Sequence, residues 1–155
     1  MSASPAPPLH RGRRAILCGG LIAGALDISY ACVRGILRGS TAVRTLQSVA
    51  SGLLGRAALD GGWATAGLGL GLHFVIALGA ATVYYLASRR IALMVKRPVL
   101  SGLLFGALVY LFMSRVVVPL SAAPFTIRLT LLDLAVHMFF IGVPIALAVR
   151  RFSRR

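Results

Sequence analysis

Acidic residues are almost missing from this chain. There are three, Asp27, Asp60 and Asp133, with no glutamate, against 17 lysines and arginines. No two carboxylates stand at a spacing useful for acid–base hydrolysis, and neither GxSxG nor HExxH occurs. No catalytic residue is therefore assigned, and the chain is not expected to be an enzyme. Cysteine is scarce too. Cys18 and Cys32 lie on one apolar stretch, about 21 Å apart at a helical rise of about 1.5 Å per residue. A disulfide needs Cα atoms within about 7 Å. Neither cysteine has a CxxC partner, so both read as small packing residues.

Charge of any kind is thin. Charged residues make up 13% of the 155, where a soluble domain carries about a quarter. In their place stand long apolar runs: 58% of residues are hydrophobic and the mean hydropathy is +0.87. A chain of this kind has lipid as its solvent. The length suits one compact bundle with no second soluble domain. The net charge of +14 raises nucleic-acid binding as a reading. The arginines, however, sit at the ends of apolar runs, and no basic stripe interleaved with aromatics appears. They read as topogenic charges, and the expected partners are membrane lipids, anionic headgroups included. Each Lys or Arg near such a surface contributes about 1 kcal/mol.

The expected fold is all-α: a polytopic membrane protein with four transmembrane helices and one short amphipathic or re-entrant helix. Residues 1–14 are Pro-rich and basic and read as a disordered tail; 15–151 form the membrane domain; 152–155 are a basic C-terminal tail. Span 1 covers 15–33. A basic segment before an apolar run is also the pattern of a secretory signal. Asp27 interrupts that run, the chain beyond stays apolar, and the Ser29-Tyr30-Ala31 before Cys32 lacks the Leu of a lipoprotein signal, so span 1 is read as uncleaved. Span 2 covers 63–87, with Trp63 and Tyr84-Tyr85 near its ends, where amphipathic rings favour the interface. Span 3 covers 99–118, broken by Pro119 and Pro124. Span 4 covers 129–149, and Pro144 is expected to kink it and free the carbonyl of Phe140.

Residues 41–59 cannot cross, because Arg44 and Arg56 stand too close together. Leu46, Val49, Ala50, Leu53, Leu54 and Ala57 fall on one helical face, opposite Arg44, Gln47, Ser48 and Ser51. The segment reads as an interfacial helix with its leucines toward lipid or bundle and its serines toward water. It would serve as a lid over the bundle end or, more sharply, as a gate.

Orientation follows from Lys and Arg. The N-terminal tail, the loop holding Arg89, Arg90, Lys96 and Arg97, and the C-terminal tail together carry eleven. Arg34, Arg38, Arg44, Arg56, Arg115 and Arg128 make six on the other side. The bias places both termini in the cytoplasm. Small residues recur at four-residue spacing: Gly20 and Gly24, Gly67 and Gly71, Gly102 and Gly106. Such pairs let helix backbones approach closely, within one chain or in a homo-oligomer. There is no convincing internal repeat, so a transporter built on inverted repeats is unsupported.

Four ionisable residues fall inside the spans: Asp27, His73, Asp133 and His137. Each costs about 2.5–3.5 kcal/mol on insertion scales and so is expected to face the bundle interior with a partner. Counted from the span ends, all four lie about 6–15 Å below one surface. Arg115 enters the same layer from span 3. Asp133 and His137 are i, i+4 and share a face. Asp133, His137 and His73 are expected within hydrogen-bonding or water-bridged reach, with Asp27 or Arg115 completing the group. One reading is structural, with Asp27 or Asp133 paired to Arg115 or Arg128. Another is a proton or ion pathway, since His titrates near neutral pH, at about 6.5. A metal site from two His and two Asp ligands, with His73, His137 and Asp133 foremost, fits zinc or iron by residue type, although the ligands scatter over three helices. Haem between His73 and His137 is a further alternative. No cofactor is the primary expectation.

Several stretches carry a family resemblance: GGLIAG in span 1, HFVIALG in span 2, SGLLFGAL followed by PLSAAP in and after span 3, and the Asp133-x-x-x-His137 and AVRR ending of span 4. In this order, over about residues 15–151, the chain resembles the YagU-like family of bacterial inner-membrane proteins. Its most specific parts are His73, Asp133 and His137. The first loop, LQSVASGLLGRAALDGG, is shorter here, and Asp stands at the acid position of span 4. That family has no known function. The resemblance implies a multi-pass bacterial inner-membrane protein, with a structural or accessory role or, alternatively, a small transporter or proton-handling protein, and adds no activity.

Overall fold

The computed structural model describes residues 8–153. The expectations for residues 1–7 and for Arg154 and Arg155 lie outside the described residues. Four helices are long and apolar enough to cross a membrane: α1 (Pro8–Leu37), α3 (Gly62–Ser88), α5 (Pro98–Leu120) and α6 (Leu131–Ser153). A shorter α2 (Ala42–Leu54) runs on into a tight turn, Gly55–Asp60, and α4 is the single turn Leu93–Lys96. The chain is all-α, with four spans and one amphipathic helix between the first two.

Each span runs past its expected bounds by a few residues, except that the fourth begins at Leu131, two residues later than expected. The excess is largest in α1. Its first two turns take up residues 8–14, expected as tail, starting at Pro8, where a proline costs no helical bond. Gly12 lies there against the Tyr85 ring. At its other end α1 continues past Arg34 to Leu37, and Gly39, with φ of +79°, closes it. Ser40 N–H donates to Gly35 O and Gly39 N–H to Ile36 O, the paired bonds that satisfy the last carbonyls of a helix. A charged residue does not end the helix, because Arg34 finds a partner on α6.

α1 and α6 pack along one another at the centre of the bundle; α3 lies against α1, and α5 against α6. Their shared core is built of small and medium side chains: Ala15, Ala23, Ala81, Ile141, Ile145, Ala146 and Val149, with Tyr84 fully buried among them. The Tyr84 hydroxyl donates to Met94 O at 3.1 Å, tying α3 to α4. Gly102 and Gly106 of α5 face Gly142, His137 and Met138 of α6 so closely that a Cβ at Gly106 would collide with backbone. Gly20 lies against the α3 backbone at Leu78, and Gly24 against the side chains of Phe74 and Ala77. Gly67 and Gly71 touch nothing. Two of the three small-residue pairs are thus used within the chain.

Prolines are accommodated by a change of helical register. Met113–Val117 before Pro119 and His137–Gly142 before Pro144 are π-turns, in which Val118 N–H reaches back to Met113 O and Val143 N–H to Met138 O. Proline offers no N–H and crowds the carbonyl four residues earlier. Moving the preceding bond to i→i−5 spreads that crowding over a wider turn. Span 3 therefore continues through Pro119 to Leu120 instead of stopping there.

α2 begins at Thr41, whose Oγ1 accepts from Arg44 N–H at 3.0 Å. It folds back on the start of α3, where Gly69 admits the Leu46 carbonyl, and Ala122 N–H donates to Gly52 O from the loop after α5. It covers that end of the bundle as a lid would. Its inward face, which also holds Ala50, corrects the expectation that Ser51 meets water, while the outward leucines fit the lipid side of theirs. Gln47 and Ser51 are buried, while Leu53 and Leu54 point outward. Gln47 Nε2 donates to Gly62 O, and Ser51 Oγ to Ser48 O. Where the surroundings are lipid, polar groups turn toward the protein's own carbonyls and leucines turn away from it.

Candidate functional site

The cluster forms where α1 finishes and α6 begins. On α1, Asp27, Tyr30 and Arg34 fall at i, i+3 and i+7, one face of the helix. On α6, Thr130 is the cap residue and Asp133 and His137 follow on the next two turns. The helices run antiparallel, so Arg34 meets Asp133 and Asp27 meets His137. Arg34 Nη1 pairs with Asp133 Oδ1. Tyr30 Oη donates to the same oxygen at 3.0 Å. The Arg34 guanidinium also stands 5.9 Å from the Tyr30 ring centre.

Thr130 supplies the rest. Its Oγ1 donates to Asp133 Oδ2 at 2.6 Å and accepts from Asp133 N–H at 3.1 Å. This is a helix cap that doubles as a carboxylate ligand. From α5, Tyr110 Oη accepts from Thr130 N–H at 2.9 Å, which fixes the cap against a third helix. Every buried side-chain nitrogen and oxygen among the described residues has a hydrogen-bond partner.

His137 opens the π-turn of α6. Its Nδ1 lies 2.9 Å from Asp133 O, and since a carbonyl only accepts, Nδ1 carries the proton. Nε2 then faces Asp27 Oδ1 at 3.9 Å, too far for a direct hydrogen bond. In the neutral ring this sets a lone pair toward a carboxylate. One proton on either group turns the contact attractive. The Tyr110 ring packs 4.9 Å from the imidazole.

The structure brings some of the expected residues together and not others. Asp27, Asp133 and His137 come together. His73 does not join them by any hydrogen bond: its Nε2 donates to Gly24 O at 2.9 Å, on the seam between α1 and α3, one turn before Asp27. Arg115 lies exposed in the π-turn of α5, with no ion pair among the described residues. Arg34 takes the role expected of Arg115 or Arg128. Tyr30, Arg34 and Thr130 were the members that the sequence reading passed over. The signals existed, in the 27/30/34 helical spacing and in the Thr-x-x-Asp cap ahead of an apolar run. Arg34 was hidden because it follows the apolar stretch directly and reads as a loop charge.

For a metal or haem the geometry offers little. Among the described residues no group of three or more His, Cys, Asp or Glu is poised around one point. Asp133 is taken by Arg34, and His73 would have to leave the Gly24 carbonyl. The arrangement binds two helices through a charged pair whose carboxylate also accepts from Tyr30 and Thr130, and beside it holds one acid–imidazole contact. The chain matches no protein-family model, no curated protein and no solved structure.

Proposed function

We propose that this chain is a structural or accessory protein of the bacterial inner membrane that acts through its helical framework and performs no chemistry of its own. The single observation that carries this reading is the occupancy of Asp133. One oxygen holds Arg34 and Tyr30, the other holds Thr130, and its backbone N–H and C=O hold Thr130 and His137. A carboxylate tied at every side is suited to clamping α1 to α6, not to taking up and releasing a load.

The same pairing supports cytoplasmic termini. Arg34 lies inside α1 and is held there by Asp133, so the arginines of the first loop proper that oppose that orientation fall by one. The YagU-like resemblance, through His73, Asp133 and His137, points to the same membrane. Replacing Asp133 by Asn leaves Arg34 uncompensated, and breaking a buried pair in this way costs about 3–5 kcal/mol. Thermal unfolding of Asp133→Asn in detergent should show a clear drop in midpoint. An unchanged midpoint would remove the clamp.

A second reading, proton or ion handling, is favoured by one observation: the 3.9 Å approach of His137 Nε2 to Asp27 Oδ1, which a single proton would close. It requires flux across a bilayer that depends on His137 and Asp27. The clamp does not.

A further inference from the structure

The seam that the clamp closes at one end is open at the other. Between α1 and α6, on the side where α1 begins and α6 finishes, a groove of about 940 Å³ runs along the surface. Ile22, Val143, Leu147 and Ala148 form its wall, and Arg150 and Arg151 stand at its mouth. From Val143 to Arg151 it extends about 12 Å at about 1.5 Å per residue. That is most of one leaflet of a hydrocarbon core of about 30 Å. The apolar part therefore lies at acyl-chain depth and the arginines at headgroup depth.

Charge on this end is of one sign. Asp27 and Asp133 sit in the clamp and Asp60 in the turn after α2, so all three acids of the sequence stand at the opposite end. Arg150 and Arg151 share their end with Arg11, Arg13, Arg90 and Arg97 and with no acidic side chain. Neither forms an ion pair among the described residues. Among the described residues no anion meets them, which leaves both guanidiniums open to one from the surroundings. A greasy channel ending in two unmatched guanidiniums has the shape and charge of one ligand class. We propose that this groove binds an anionic phospholipid, with an acyl chain along Ile22 and Leu147 and the phosphate between Arg150 and Arg151. Arginine matches phosphate through paired N–H donors, which a zwitterionic headgroup with its own cation offsets. The site does not depend on the clamp, nor on which way the protein faces.

The test uses the full chain in nanodiscs of phosphatidylcholine alone and of phosphatidylcholine mixed with phosphatidylglycerol. Retained lipid is counted by native mass spectrometry after release into detergent. The wild type should retain phosphatidylglycerol selectively. Arg150→Gln with Arg151→Gln should weaken that retention roughly 30-fold, from about 1 kcal/mol per arginine. Arg90→Gln with Arg97→Gln, an equal charge change on the same end, should leave it nearly intact. Ile22→Trp fills the apolar part without touching the charge and should also weaken it, so the outcome stands even if the arginine variant fails to fold. Cys18 lines the groove; in a Cys32→Ser background its maleimide labelling should slow when phosphatidylglycerol is present. Equal loss from both arginine pairs would reduce the effect to diffuse attraction and overturn the site. So would equal retention of phosphatidylcholine.

Discussion

Arg34 is the residue on which the cluster turns. It follows directly on the apolar run of the first span, and a charge there reads as the start of a loop. In the fold it lies inside α1, with its side chain 21% exposed and its guanidinium on Asp133. The pair is sensible only as a pair, since a lone guanidinium or carboxylate at this depth is expensive. A double-mutant cycle separates the pair from its surroundings. Arg34→Gln and Asp133→Asn should each lower stability against SDS-driven unfolding, and the double variant should lose less than the two singles together. A coupling of about 0.5–3 kcal/mol is the range for contacting residues. Strict additivity would mean the two side chains do not support each other.

At the scale of elements, much was legible. The four spans follow from runs of apolar residues long enough to cross, and α2 from its 3.6-residue period. What escaped depends on neighbours. The inward turn of Gln47 and Ser51 could not be read from the period alone, because periodicity finds two faces and does not say which one meets protein when the other side is lipid. Spin labels along α2 should place position 51 in an immobile, buried site and positions 53 and 54 in contact with lipid-soluble oxygen; a water-exposed position 51 would reverse the assignment. The π-turns before Pro119 and Pro144 were likewise hidden, since proline signals disruption without naming its form. Packing glycines separate cleanly. Gly106→Val forces a side chain into the backbone at His137 and should destabilise the α5–α6 contact by several kcal/mol, comparable to overpacking of about 1–3 kcal/mol or more. Gly71→Val meets open space and should be close to neutral for the monomer in a thermal melt.

For the whole molecule, charge and function are linked by where the acids lie. Asp27 and Asp133 lie at the same end of the α1–α6 seam; His73 instead donates to the Gly24 carbonyl of α1, the helix it packs against. The end that holds the clamp has all three aspartates and six arginines, and the other end has eleven lysines and arginines with no acidic side chain. That separation predicts that the cationic end faces the cytoplasm. A cysteine at Ala92 should resist an impermeant thiol reagent in whole cells, and one at Ala122 should react, in a background without Cys18 and Cys32. The reverse pattern would overturn the orientation.

The central claim is that the cluster holds α1 to α6 and carries no traffic. It is tested most directly by proton flux into liposomes loaded with a pH-sensitive dye, comparing empty vesicles, the wild-type chain and Asp133→Asn. The clamp predicts wild-type flux no greater than that of empty vesicles at any pH, with Asp133→Asn differing only in its lower melting point. A pH-dependent wild-type flux that Asp133→Asn abolishes while the fold stays intact would contradict it.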